Sequence, residues 1–330
     1  MIIGKALSAW FADRDGQAAT LARLAEVRRR LRSLPAVAAL ERQADSAQGL
    51  DPEPLLAAAR AFLQSGRPID DCLDLLIEAA LEDPFFRPPV RSALSGIQAG
   101  LLLVDRPLLS VYLAIASAAG IAEKRMGRSG PASIAFTGRR SIYRFLRAGE
   151  AILSLWEAPD IEPSFSSETS GCCRFLERRA VSDGDLLELD GRRHGFVIEY
   201  ARSDLVYLQA STPAGSAPLA VEYDSRTLRF VGASSSDELS SRIQLMLSLL
   251  RTLDRQDSTP LFQAMLDSPN FFDRWHAMRE FLALDPEQAL PKLRALADQD
   301  PHPEVRAAAR STLAQFFEDP EMGREARCPA

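Results

Sequence analysis

The chain has 330 residues, 46% hydrophobic and 25% charged, and 39 Lys and Arg against 45 Asp and Glu leave a net charge of −6. This length accommodates two or three domains, and the composition is that of a globular protein, which excludes wholesale disorder and fibrous structure. A net acidic chain with no dense Lys/Arg block is poorly suited to bind nucleic acid, because phosphate neutralisation needs clustered cations.

The opening stretch from Met1 to Asp13 has a short apolar run without a basic region before it, so a cleaved signal peptide is not expected. Gly100 to Ala122 is the most apolar tract; Asp105-Arg106-Pro107 interrupts it and leaves too little for a membrane span. A cytoplasmic protein with no membrane partner is the expectation. Four cysteines in a chain this long do not make a disulfide framework. Cys72 falls in a helical pattern, Cys328 in the tail, and the adjacent Cys172 and Cys173 would point to opposite faces of a strand.

Residues 1–92 read as helices. Leu21, Leu24, Leu31 and Leu34 recur at helical spacing with Arg28, Arg29, Arg30 and Arg32 largely between them, a solvated face balanced by Glu26 and Glu41. Pro35 then punctuates. Asp51-Pro52-Glu53-Pro54 opens a helix running to Gln64, with Pro in the first turn and acids near the positive end of the dipole. A further helix from Ile69 to Leu81 presents Leu73, Leu76, Ile77, Ala80 and Leu81 on one face, and the Pro-rich cluster from Asp83 to Pro89 ends it.

Over residues 93–236 the apolar period shortens towards 2. Leu101 to Val104 and Leu108 to Ala116 flank a hairpin-like break, and Ile142 to Leu146 and Ala151 to Trp156 flank another at Ala148-Gly149-Glu150. Short runs follow at Arg174 to Arg178, Asp185 to Leu189, Gly195 to Tyr200, Leu205 to Ala210, Ala217 to Tyr223 and Leu228 to Val231. Strands this short and turns this frequent predict an antiparallel sandwich or barrel. Asp190-Gly191 carries the clearest hairpin signal, since Gly tolerates positive φ.

Residues 237–330 return to helices. Ser235 with Glu238 three residues on forms a capping box, and Leu239, Ile243, Met246, Leu247, Leu250 and Leu253 follow down one predicted face. The stretch from Ser268 to Phe281 aligns 32 residues later with Asp300 to Leu313: Pro269 with Pro301, Arg274 with Arg306, Ala277 with Ala309, Phe281 with Leu313. The string Asp300-Pro301-His302-Pro303-Glu304-Val305-Arg306-Ala307-Ala308-Ala309 resembles the HEAT-like repeats of bilin lyases. That resemblance implies stacked helix pairs that offer an interaction surface, with Asp300 and Arg306 bracing neighbouring repeats.

A second, degenerate resemblance lies in the β segment. Gly184-Asp185 followed by Asp190-Gly191-Arg192-Arg193-His194-Gly195 is similar to the second conserved motif of cupins, whose His ligates a metal inside a double-stranded β-helix. The turn is one residue short, Asp190 stands where Pro is usual, and no His-x-His plus Glu motif lies upstream. The three histidines are His194, His276 and His302, and only His194 comes from the β segment. A first-row metal wants about three N, O or S ligands, so a metal-free cupin-like sandwich is expected.

Trp275, His276, Arg279 and Glu280, together with Arg274, form a candidate polar binding patch on one helix; the competing reading is an inter-helix salt bridge beside a buried Trp. Arg139-Arg140 and Arg192-Arg193 sit at predicted strand ends, where solvent-facing turns are expected. Phosphate-cradling, nucleophile-elbow and zincin motifs are absent as written patterns. The expectation is an α+β chain: a helical N-terminal segment, a central antiparallel β-sandwich of cupin-like double-stranded β-helix type, and C-terminal HEAT-like helical repeats. The leading functional expectation is non-catalytic binding of a protein or peptide partner, through the concave side of the repeats or the sheet next to them, with no cofactor and no nucleic acid; a homodimer is left open. The alternative is a cupin-type metal-dependent enzyme, an oxygenase or isomerase, with His194 as one ligand to Fe, Mn or Zn.

Overall fold

The computed structural model describes residues 2–47, 51–94, 97–127, 133–160, 165–166 and 169–317. Cys328 lies outside them. The chain divides into two compact units: Met1–Ala158, Cys173–Ser216 and Glu222–Leu228 in the first, and Pro159–Cys172, Ala217–Val221 and Arg229–Ala330 in the second.

The first unit opens with five helices, α1 (Ile2–Ala12), α2 (Arg14–Ser33), α3 (Pro35–Ser46), α4 (Glu53–Gln64) and α5 (Arg67–Glu82). Pro35 starts α3 at its first position, where a missing N–H costs nothing. Two expected faces are displaced. On α2 the buried row is Thr20, Val27 and Leu31 while Leu21 is exposed. On α5 it is Ile69, Cys72, Leu75, Leu76 and Ala79 while Ile77 and Leu81 are exposed. Both helices carry apolar residues around more than one face, so packing rather than periodicity selects the buried one.

Strands β1 (Ser92–Leu94), β2 (Gln98–Arg106) and β3 (Leu109–Ala116) follow, then helix α6 (Ala118–Arg125). After it come β4 (Ser133–Phe136), β5 (Arg140–Arg147), β6 (Ile152–Glu157), β7 (Arg174–Ala180), β8 (Leu186–Asp190), β9 (His194–Tyr200) and β10 (Leu205–Thr212). One antiparallel sheet runs β1-β2-β3-β10-β5-β8; a second runs β7-β6-β9, with β4 alongside β9. Counted from β3, the eight strands pair first with eighth, eighth with third and third with sixth in one sheet. In the other, second lies by seventh, seventh by fourth and fourth by fifth. This is the jelly-roll order of the cupin double-stranded β-helix.

That order corrects two hairpin readings. β5 and β6 lie in different sheets, as do β8 and β9, so Ala148-Gly149-Glu150 and Asp190-Gly191 carry the chain from one sheet to the other. Gly191 is not required for positive φ either: a Cβ there would sit 2.4 Å from the Arg139 carbonyl and 2.5 Å from Thr137 Oγ1. Close approach explains this glycine.

Strand alternation sorts residues between two cores. Ile142, Leu208 and Ala210 face outward and pack with Leu55, Leu56, Phe62 and Leu63 of α4. Their sequence neighbours Tyr143 and Tyr207, and Phe145 two positions beyond Tyr143, face inward with Leu153, Leu155, Leu187 and Leu189. Helices thus cover the outer face of the six-stranded sheet, laced to it by Arg60–Glu188, Arg140–Glu53 and Arg106–Asp45 ion pairs.

β11 (Leu219–Asp224) spans the division of the chain, and β12 (Phe230–Ser235) opens the main run of the second unit. Helices α7 (Glu238–Thr252), α8 (Thr259–Met265), α9 (Phe271–Leu284), α10 (Pro286–Gln299) and α11 (Pro303–Phe316) follow. Asp237, not Ser235, is the N-cap of α7: its carboxylate accepts from Leu239 and Ser240 N–H, while Ser235 Oγ accepts from Asp237 N–H. The expected single apolar face of α7 splits in two. Ile243, Leu247 and Leu250 join the core with Phe262, Phe281 and Leu293, whereas Leu239, Met246 and Leu253 are exposed.

Candidate functional site

Two places concentrate chemistry, one in each unit. In the first, the inner faces of the roll enclose a cavity of about 730 Å³. Its aromatic wall is Tyr143, Phe196, Tyr207 and Trp156, with Tyr143 meeting Phe196 edge-on at 5.0 Å. Polar positions on the wall are largely self-satisfied. Gln98 Nε2 donates to the Tyr207 hydroxyl at 2.8 Å, Trp156 Nε1 donates to Ser154 Oγ at 3.0 Å, and Arg178 forks Glu199 at 2.8 and 3.3 Å. Burial pushes the Tyr207 phenol up to about 12 and Tyr143 further still, the latter helped by the adjacent Tyr207. Both are therefore hydrogen-bond donors at neutral pH.

Ser141 is 3% exposed on the same wall. Its hydroxyl lies beside that of Tyr143 and helps to hold the Tyr143 phenol down against the effect of burial.

His194 stands at the rim of this cavity, opposite Glu157 in the β6–β9 register and 3.8 Å from its Oε1. Arg193 and Arg174 already engage that carboxylate. No group of three His, Cys, Asp or Glu side chains comes together among the described residues. Cys173 is buried and Cys172 exposed, on opposite sides as adjacency in an extended segment demands.

In the second unit, the five residues of the predicted patch occupy α9 but do not share one surface. Arg274 is buried and forks Asp300 at 2.8 and 2.6 Å, while its Nη1 donates to the Ser268 and Pro269 carbonyls. Arg306 repeats the second part of this geometry 32 positions on, donating to the Asp300 and Pro301 carbonyls. Glu280 accepts from Arg251 of α7, and His276 Nε2 donates to the Gln244 carbonyl of the same helix. Trp275 packs partly buried against the core, and Arg279 is exposed. Arg274 and Glu280 are thus inter-helix braces.

Burial alone would raise the Asp300 carboxyl, but the Arg274 fork, the His302 N–H and the Arg274 charge outweigh it and hold it below the usual range. His302 is lowered by burial. Its Nδ1 accepts from Glu304 N–H as the N-cap of α11, its Nε2 donates to the Phe165 carbonyl, and its ring stacks on Phe271 at 3.7 Å.

The exposed side of α7 was visible as apolar spacing but not as surface. Leu245 and Leu249 join Leu239, Met246 and Leu253 there, each more than half exposed. The cavity residues Tyr143, Tyr207 and Ser141 escaped sequence reading because both neighbours of each are also buried or half-buried, which blurs the alternation.

Among known families, a model of HEAT repeats matches residues 234–321. No curated protein matches the chain. Solved structures that resemble it include ectoine synthase from P. lautus, 12% identical over 37% of this chain and 69% of that one, with a TM-score of 0.23. A sugar phosphate isomerase of the cupin superfamily from Silicibacter pomeroyi is 12% identical over 45% and 90%, TM-score 0.24. The 7S globulin of Momordica charantia is 10% identical over 41% of this chain, TM-score 0.26, and the chain spans only 35% of its length. Likenesses this slight carry no argument about activity; the strand order defines the roll. The C-terminal helices are HEAT-like repeats over residues 234–321.

Proposed function

We propose that this protein works by binding, with the HEAT repeats receiving a protein or peptide partner through α7. The observation that carries this reading is the exposed row of Leu239, Leu245, Met246 and Leu249 on α7, with Leu253 at its C-cap, flanking Ile243, Leu247 and Leu250, which are already committed to the core. Scattered surface leucines need no explanation, but four apolar residues on one helix with a fifth at its end form a contiguous apolar patch of the kind that marks interaction sites. Repeat arrays present such faces because each repeat contacts only its neighbours. The partner's contribution would be an apolar stripe of its own, as in helix-in-groove recognition.

The test is affinity purification from native cells with wild type and with Leu245→Glu/Leu249→Glu as baits. Both positions are exposed, so stability should change by no more than about 0.5 kcal/mol per site. A partner held by wild type and lost by the double variant is the expected outcome. Identical recoveries with both baits would sink the proposal. A concentration-dependent dimer in sedimentation, abolished by the same variant, would identify the partner as a second copy.

A further inference from the structure

We propose that the N-terminal helices make this protein a homodimer, with the solvent face of α2 in each copy packed antiparallel on the solvent face of α5 in the other. This contact lies in the first unit and does not depend on the α7 face.

The side of α2 turned away from the core carries Leu21, Ala25, Arg28 and Arg32, all exposed. The corresponding side of α5 carries Asp70, Asp74, Ile77 and Leu81, all exposed as well. Both sets step along their helix by four, three and four residues, the spacing of a seam that meets another helix. The order of chemistry is reversed between them: α2 runs from apolar to cationic, α5 from anionic to apolar. An antiparallel pair therefore sets Leu21 against Leu81, Ala25 against Ile77, Arg28 against Asp74 and Arg32 against Asp70. A parallel pair would bring Leu21 to Asp70 and Arg32 to Leu81, so the pattern also selects direction.

Neither stripe is matched inside its own chain. Glu26 is engaged by Arg29 and Glu41 by Arg106, so the acids expected to balance the arginine run do not reach Arg28 or Arg32. Those two arginines, Asp70 and Asp74 make no ion pair among the described residues. Leu21, Ile77 and Leu81 are 65%, 54% and 82% exposed. Large apolar side chains this open, continuous with unpaired charge, mark a face that another surface covers.

A second copy is the occupant that carries both complementary halves. One two-fold axis makes the α2–α5 contact twice and closes the assembly at two chains. The register also agrees with the geometry inside one chain. Thr20 Oγ1 donates to Asp83 Oδ2 at 2.6 Å and Arg23 pairs with Glu82 at 3.2 Å, so the middle of α2 stands level with the end of α5. An axis running along the helices preserves that level and brings Leu21 to Leu81 of the second copy.

The experiment is sedimentation of the full-length protein at about 100 µM, well above a micromolar dissociation constant. A dimer of about 72 kDa is expected, two chains of 36.2 kDa each. Arg28→Glu/Arg32→Glu and Asp70→Arg/Asp74→Arg should each be monomeric, because like charges then face each other and weaken association at least about a hundredfold. Mixed in equal amounts, the two variants should dimerise again, since both contacts once more join opposite charges. Leu245→Glu/Leu249→Glu should leave the dimer intact, which separates it from any association through α7. All substituted positions are exposed, and thermal unfolding checks that the variants fold. Should a reversal variant fail to fold, Ile77→Ala/Leu81→Ala replaces it and must weaken the dimer at least about tenfold. A monomeric wild type, a dimer that survives either reversal or the alanine pair, variants that stay apart when mixed, growth into longer chains, or loss of the dimer in Leu245→Glu/Leu249→Glu overturns the proposal.

Discussion

At the residue scale, Arg274 and Asp300 form a buried ion pair. Their side chains are 8% and 0% exposed, so removing the arginine strands a buried carboxylate. Arg274→Ala is expected to destabilise the helical unit by about 3–5 kcal/mol, read from denaturant unfolding. Arg274→Lys should recover only part of this, since an ammonium cannot reproduce the fork. His302 adds a pH dependence. Burial lowers its folded pKa, so between that value and the ordinary one near 6.5 the unfolded chain holds more protons and stability rises with pH. Its contribution is full above pH about 6.5 and is lost as acid takes pH down through the folded value. His302→Asn keeps a capping acceptor and removes the titration, so it should flatten this part of the stability profile; an unchanged slope would refute the assignment. The bracing role of Asp300 was legible only through the resemblance to HEAT-like repeats, since the residue 32 positions earlier is Ser268. That it is Arg274, one repeat earlier, which reaches Asp300 was not legible, since spacing along the chain does not reveal which helix stacks on which.

At the element scale, the sequence announced turns but not destinations. A Gly-rich break after β5 or β8 looks the same whether the next strand pairs beside its predecessor or crosses to the opposite sheet. The decision depends on distant pairings, such as β5 with β10 and β6 with β9, which no local signal encodes. Gly191 is where this matters energetically. The β4–β5 and β8–β9 connections meet there closely enough that a methyl group would press on the Arg139 backbone at 2.4 Å. Gly191→Ala is expected to cost about 1–3 kcal/mol through forced backbone shifts, measurable by thermal or urea unfolding. A neutral substitution would mean that these connections are slack. Helix faces were misjudged for a related reason: α5 and α7 are apolar on more than one side, so the buried side is set by what arrives to cover it.

At the scale of the whole molecule, two compact units imply unfolding that a single two-state transition does not describe. Arg274→Ala should lower only the transition belonging to the HEAT array, and Gly191→Ala only that of the roll. Because the two sites share no partners, the double variant should show both shifts, additive within about 0.5 kcal/mol. Differential scanning calorimetry checks this directly, and a joint shift of both transitions by either substitution would contradict it. Overall class was the most legible level of all: helices, short strands and helices again follow from changes in hydrophobic period, and the repeats from the 32-residue self-similarity. The cavity was the least legible, because its lining is gathered from strands far apart in sequence.

Residues 159–172 and 217–221 belong to the second unit, although the chain visits them before it has finished building the first. Phe165 shows what that means: its carbonyl holds the His302 imidazole and its ring meets Phe230 at 5.5 Å. A cloning boundary placed between the roll and α7 would consequently leave the helical half without pieces of its own interior. Gene fusions or swaps that treat these repeats as a simple tail would inherit an incomplete module.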